Sequence, residues 1–261
     1  MEALRACMFT LMGTSFTFLL TTLGATTIFV VREKQTSNLK SICMGLAAGI
    51  MMASAIWSLL MPALELSNEA MQIPWLTVAF GFLLGGLSFY FVDLYLTYKY
   101  WRENVTNHQS AVNKLCTVIT LHNIPEGMAI GLSFAIAVQE KSQSALAAAA
   151  ALAIGIGVQN LPEGAAIALP VYQDSGSKKK AFLCGSLSGI VEPIGGVFAV
   201  LLVESMRYLL PVFLAFAAGA MLYVIVDELI PEAKQENGSN IGTVGTLCGF
   251  LLMMILDIAL G

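Results

Sequence analysis

Long apolar stretches alternate with short polar connections along the whole chain of 261 residues. A helix needs about 20 largely apolar residues to cross a membrane, and the pattern supplies eight such stretches. We name the predicted helices span 1 to span 8, at approximately residues 7–31, 41–64, 74–98, 112–138, 144–171, 181–204, 209–230 and 241–260. The connections are too short for a soluble domain. The pattern therefore predicts an all-α membrane protein with one transmembrane domain over residues 1–261.

Composition agrees with this pattern. The chain is 57% hydrophobic and 11% charged, whereas a soluble domain carries about 25% charged residues. A net charge of −4 gives no indication of a nucleic-acid partner. The cysteines lie in apolar segments without a CxxC pair, at Cys7, Cys43, Cys116, Cys184 and Cys248. They support neither a disulfide framework nor a thiolate metal site.

Basic residues are divided unevenly between the two ends of the predicted spans. Of the 13 Lys and Arg residues, ten lie in or beside the connections that follow spans 1, 3, 5 and 7, and three lie on the other side. Because cytoplasmic loops carry an excess of Lys and Arg, we expect these connections to be cytoplasmic. Both termini are then extracytoplasmic.

Spans 4 and 5 each carry a polar motif in an apolar context, LHNIPEGMAI at 121–130 and VQNLPEGAAI at 158–167. Consecutive spans cross in opposite directions, so this repeat is inverted. Weaker matches relate span 2 to span 7 (AAGIM and AAGAM), span 3 to span 8 (GFLL) and span 1 to span 6. Small-residue strings also recur for helix packing alone. The complete set favours a 3+2+3 inverted repeat, which is typical of secondary transporters.

The two motifs place polar side chains three and four residues apart, hence on one face of each helix. They are His122, Asn123 and Glu126 in span 4, and Gln159, Asn160 and Glu163 in span 5. Pro125 and Pro162 each release a backbone carbonyl. Free backbone groups at membrane depth persist only where they are buried in protein or line a wet cavity. The pattern predicts that spans 4 and 5 face each other across a polar centre.

A third carboxylate, Glu192, precedes a proline in span 6. Apart from Lys114 near the start of span 4, no Lys or Arg lies within spans 4 to 6 to balance these three glutamates, and like charges so close force protonation or recruit a cation. Oxygen and imidazole ligands suit zinc or a neighbouring divalent first-row metal. The alternative is that each glutamate is protonated and bonded to a neighbouring helix, although intramembrane carboxylates are usually functional. Met51 would add a soft ligand or serve packing alone.

Further acidic residues lie near the ends of the spans. Asp227 and Glu228 are expected at the cytoplasmic mouth, and Glu65 and Asp257 near the outer one. They would either attract cations or act as ordinary interfacial charges, and the sequence favours neither.

The motifs HNIPEG, QNLPEG and VEP resemble the signature of the ZIP metal transporters, in particular the short GufA-type branch. The resemblance covers the whole chain. It implies uptake of zinc, and often of iron, manganese or cadmium, into the cytoplasm through a binuclear centre in the cell membrane. It assigns one metal site to His122, Glu126, Gln159 and Glu163, with Met51 as an extra ligand, and a second to Asn123, Asn160 and Glu192, bridged by Glu126 and Glu163. A homodimer is a further expectation.

One departure from the family pattern concerns metal selectivity. Many family members have His where Gln159 stands and an acid where Asn160 stands. The two amides lower the negative charge of the centre, so the second site is expected to hold its metal more weakly or to choose differently.

Two other functions use the same residues. In an intramembrane metalloenzyme a metal at His122 and Glu126 would activate water, but the HExxH pattern is absent and His122 is the only histidine in any span. A proton or sodium carrier would use the carboxylates without a heavier metal, although imidazole is a poor sodium ligand.

We therefore expect that the protein is not an enzyme and has no resident cofactor. Its expected partners are the divalent metal and the lipid bilayer.

Overall fold

The computed structural model describes residues 2–30, 36–70, 73–102, 107–234 and 240–260. Within these ranges every regular element is helical, which confirms the predicted all-α class. The α-helices are Glu2–Ala25, Thr36–Ser54, Met61–Ala70, Pro74–Arg102, Asn107–Glu140, Gln143–Ser175, Lys178–Leu187, Val191–Met206, Leu210–Val224, Ile230–Ala233 and Ile241–Leu260. The 3₁₀ segments are Thr26–Phe29, Ser188–Ile190 and Arg207–Leu209, and the π segments are Ala55–Leu60 and Ile225–Leu229.

Seven of the eight predicted spans meet the length and hydropathy requirements for crossing a membrane within the described residues. The remaining one, span 4, is the continuous helix Asn107–Glu140, and part of its first half lies outside the described side chains. The chain is therefore a bundle of long membrane-spanning helices.

Spans 2 and 7 form the centre of this bundle, and spans 3 and 8 lie at its periphery. The apolar windows of spans 2 and 7 are 67% and 61% buried, against 11% and 22% for spans 3 and 8. Large apolar side chains such as Trp75 and Leu247 are exposed on the peripheral spans. In a membrane these side chains face lipid, so their exposure carries no cost.

The spans pack most extensively in the pairs 1–5, 2–8, 3–7 and 4–6. Glycines permit the close approach of the backbones in each pair. A β-carbon added to Gly49 in span 2 would overlap the carbonyl oxygen of Thr246 in span 8, and one added to Gly219 in span 7 would overlap that of Phe82 in span 3. Small residues at helix interfaces are characteristic of membrane bundles, where van der Waals contact drives association.

Three spans are interrupted within their length, at points that hydropathy alone does not predict, and a proline follows each interruption. The π segment Ala55–Leu60 precedes Pro62, and Ile225–Leu229 precedes Pro231. In span 6 the 3₁₀ turn Ser188–Ile190 precedes Pro193. Because proline has no N–H and its ring clashes with the carbonyl four residues earlier, the helix must alter its hydrogen bonding before it.

Candidate metal centre

Six polar side chains predicted to form the centre are withdrawn from solvent. Each is at most 1% exposed: Asn123, Glu126, Gln159, Asn160, Glu163 and Glu192. Spans 4 and 5 stay helical through Pro125 and Pro162, so the motif residues keep the helical spacing that places them on one face. Burying three carboxylates without a basic residue is costly unless a cation or proton neutralises them.

Spans 4 and 5 meet at a direct hydrogen bond between their motifs. The Gln159 Nε2 group donates to Glu126 Oε1. The amide thereby orients one carboxylate oxygen of Glu126, while its own Oε1 finds no hydrogen-bond donor among the described residues.

Glu192 connects spans 1, 5 and 6. Its Oε1 accepts a hydrogen bond of 2.9 Å from Asn160 Nδ2, and its Oε2 accepts one from the Thr17 hydroxyl. Sequence reasoning missed Thr17. The available signal was a row of threonines at helical spacing on span 1, all buried: Thr10, Thr14, Thr17 and Thr21.

Asn123 is held by the interrupted backbone of span 6. Its Nδ2 donates to the Ser188 carbonyl at 3.0 Å, at the start of the 3₁₀ turn that precedes Pro193. The broken helix thus supplies an acceptor that an unbroken one would have used internally.

The three amides share one arrangement. Each donates its N–H to a carboxylate or carbonyl, and each leaves a buried oxygen without a donor in the described part of the chain: Asn123 Oδ1, Gln159 Oε1 and Asn160 Oδ1. The carboxylates of Glu126 and Glu163 also interact electrostatically with that of Glu192. A set of buried oxygens around repelling carboxylates fits a hard or borderline divalent cation.

The glycine of each PEG motif brings the neighbouring backbone close. A β-carbon on Gly127 would overlap the carbonyl oxygen of Glu192, and one on Gly164 would overlap that of Thr21. Glu126 and Glu163 directly precede these glycines. The close approach therefore holds both carboxylates against the helices that complete the centre.

Two predicted metal ligands, His122 and Met51, are not among the six buried polar side chains described above. His122 lies in the helix Asn107–Glu140, but its side chain lies outside the described residues. Met51 is fully buried in the main apolar cluster, which also contains Met128 and Ala129 of span 4.

The outlying acidic residues fall into two groups, as the sequence suggests. Glu65 and Asp257 line one cavity of about 560 Å³ together with Glu140, and Ser58 Oγ donates to Asp257 Oδ1 at 2.8 Å. At the opposite ends of the spans, three carboxylates lie with ligand atoms within 4.8 Å of one another: Asp93, Asp227 and Glu228. Asp93 is the member that sequence reasoning did not assign to this group.

Known proteins resemble this chain over nearly its full length. The family model for ZIP Zinc transporter matches residues 115–257. "Zinc transporter GufA" of Myxococcus xanthus is 36% identical over 92% of this chain and 94% of its own. "Zinc transporter ZIPB" of Bordetella bronchiseptica is 33% identical over 97% of this chain and 82% of its own. "Zinc transporter ZIP11" of Bos taurus is 32% identical over 96% of this chain and 97% of its own.

The two PEG motifs lie wholly inside the matched region, and the likeness to GufA covers almost all of both chains. The resemblance inferred from HNIPEG, QNLPEG and VEP is thus confirmed, and the chain belongs to the ZIP family of zinc transporters.

Proposed function

We propose that this protein carries Zn²⁺ across the membrane into the cytoplasm through a binuclear site formed by spans 4, 5 and 6. The observation that carries the proposal is the buried centre, in which three carboxylates and three amides converge, while the buried polar side chains of the described residues include no Lys or Arg. The relatives named above are called zinc transporters. Iron, manganese and cadmium are further substrates of the same donor set.

The hydrogen bonds support the division into two metal sites. Gln159 bonds to Glu126 in the first proposed site, and Asn160 bonds to Glu192 in the second. His122, Glu163 and Met51 complete the first site, and Asn123 completes the second. Glu126 and Glu163 bridge the two metal ions. The second site holds its metal more weakly, because it combines two neutral amides with one carboxylate of its own.

Transport requires the centre to open to each side in turn, and an inverted repeat supplies two related states. The packing supports such a repeat. The π segments begin at Ala55 in span 2 and Ile225 in span 7, eight residues after the start of AAGIM and AAGAM respectively. The close pairs 1–5 and 2–8 also exchange with 6–4 and 7–3 under the proposed symmetry.

The acidic groups at the two ends suit a route for cations. The cavity lined by Glu65, Glu140 and Asp257 serves as the outer mouth, and the cluster of Asp93, Asp227 and Glu228 lies near the inner one. Clefts lined by one sign of charge raise the local concentration of counter-ions.

The chain is an integral multi-pass protein of the plasma membrane. We place both termini outside, because ten of the 13 basic residues then lie on the cytoplasmic side. In this proposal residues 1–261 form one domain, which assembles as a homodimer.

The test is zinc uptake into proteoliposomes that contain a trapped zinc-sensitive dye. Glu163→Gln removes a bridging charge while keeping the side chain's size, and we expect uptake to fall at least tenfold, since losing a ligand or its partner typically costs 10–100-fold in metal affinity. Glu2→Gln, at the exposed start of the first helix where Glu2 pairs with Lys141, is the matched control and keeps most of the wild-type rate. Equal rates for both variants would refute the assignment of the centre.

The same vesicles separate the competing functions. A proton carrier acidifies or alkalinises the lumen without any metal, which a pH-sensitive dye reports. A metalloenzyme retains its metal through purification, whereas a carrier loses it readily to a chelator. The relatives are named as transporters, so we propose that this protein is not an enzyme.

A further inference from the structure

Spans 4 and 6 separate from each other at one end. The second half of span 6, Val191–Met206, packs along span 4, whereas its first half, Lys178–Leu187, makes few contacts with that helix. The two helices enclose a groove of about 610 Å³ at this end. The groove shares no lining residue with the outer cavity. It approaches the metal centre at Leu121 and at Ser188, whose carbonyl accepts from Asn123.

The groove has an apolar wall and a polar end. Its wall includes Leu121, Leu183 and Leu187, of which the last two are 43% and 52% exposed. Its polar end includes Lys179 and Lys180. An apolar wall beside cationic groups at the end of a membrane helix matches the shape of a phospholipid, with acyl chains in the bilayer and a phosphate at the interface.

The three consecutive lysines have different surroundings. Lys178 Nζ donates to the Phe29 carbonyl at 3.4 Å and lies 5.8 Å from the centre of the Tyr172 ring, so it faces spans 1 and 5. Lys179 and Lys180 are exposed and line the groove, and neither forms an ion pair within the described ranges. Lys180 also interacts electrostatically with Cys116 in the groove wall.

We propose that this groove binds one anionic phospholipid, with its phosphate on Lys179 and Lys180 and an acyl chain against the leucine wall. Basic pockets between transmembrane helices on the cytoplasmic side bind anionic lipid head groups. The helix Lys178–Leu187 begins at this point, where Ser177 Oγ accepts from the Lys180 backbone N–H. The N-terminal end of a helix favours an anion close to it.

Native mass spectrometry of the purified full chain tests this proposal independently of transport. Phosphatidylglycerol and phosphatidylcholine with the same acyl chains are added separately. We expect the wild type to retain phosphatidylglycerol in preference. The double variant Lys179→Ala/Lys180→Ala should bind it about 30-fold more weakly, because each lysine near a membrane surface contributes about a fivefold factor.

The matched control is Lys178→Ala, which removes the same charge one residue away and should retain the lipid as the wild type does. Leu187→Trp fills the apolar wall while keeping both lysines, and should also lower retention. Millimolar inorganic phosphate should not displace the lipid. Equal retention of the two lipids, an equal loss in the control, or displacement by phosphate would overturn the lipid site. Zinc binding by each variant verifies that it is folded.

Discussion

Neutral hydrogen-bond donors orient the carboxylates of the proposed metal centre. Gln159, Asn160 and Thr17 each donate to a buried carboxylate, and these hydrogen bonds fix the direction of the remaining lone pairs. Groups that orient metal ligands in this way typically change affinity 10–100-fold when removed. The hydrogen-bond donors of the centre are therefore expected to affect metal affinity, as the ligands themselves do.

Thr17→Val removes the hydroxyl that donates to Glu192 while keeping the shape of the side chain. We expect zinc affinity to fall 10–100-fold, measured by titration of the purified protein with a competing zinc indicator. Thr10→Val is the control on the same helix face. The Thr10 hydroxyl is buried and has no hydrogen-bond partner among the described residues, so its loss should leave the affinity unchanged. Equal affinities for the two variants would show that the Thr17 hydroxyl does not orient Glu192 for metal binding.

The positions of individual helices depend on glycines at which the neighbouring backbone leaves no room for a β-carbon. Gly127 of span 4 lies against the Glu192 carbonyl of span 6, and the same interface carries the metal centre. The packing of spans 4 and 6 and the position of the metal centre therefore depend on the same contact. Any side chain at this position forces the helices apart.

Gly127→Ala should destabilise the protein by about 1–3 kcal/mol, the usual cost of overpacking a core. Gly86→Ala is the control, because its added β-carbon would meet the nearest atom, the Gly219 carbonyl oxygen, at 3.6 Å. That variant should be neutral or more stable, since alanine restricts the unfolded chain. Thermal unfolding in detergent measures both. A Gly127→Ala variant as stable as the wild type would contradict the close contact.

The sequence predicts the helices and the polar residues of the three motifs, but not the partner that span 1 contributes to the centre. Glu126, Glu163 and Glu192 are conspicuous, because a carboxylate in an apolar helix needs an explanation. Thr17 is not, because a threonine in a membrane helix can bond to a carbonyl of the preceding turn, as Thr14 does to Thr10. The π segments are equally hidden, since hydropathy does not register one extra residue in a turn.

The whole molecule divides into two sets of spans by the way its glycines pack. Every backbone contact of a described glycine with another helix lies within spans 1, 4, 5 and 6, or within spans 2, 3, 7 and 8. Between the sets, Gly155 meets the flexible side chain of Met253. An interface of side chains permits relative movement more readily than interlocked backbones do, which favours a slide of one set against the other as the transport step.

A cross-link between the sets should therefore stop transport. In a cysteine-free background, Gly155→Cys with Met253→Cys joined by a short thiol cross-linker should abolish zinc uptake into vesicles, and reduction should restore it. Gly245→Cys with Ile42→Cys joins two helices of one set and should leave uptake largely intact. If the first pair transports zinc while cross-linked, the two sets do not move past each other.

The π segments make spans 2 and 7 respond differently to a deletion and to an insertion. A π turn holds one residue more than an α-helical turn, so removing one residue from Ala55–Leu60 would allow a regular α-helix without changing the phase of the residues beyond it. Glu65 would then keep its place in the cavity that it shares with Asp257. An added residue has no such compensation, because successive α-helical residues are turned by about 100°, and Glu65 would leave that cavity. These spans can thus lose one residue in the course of evolution, whereas a gained residue would move the carboxylate at the end of span 2.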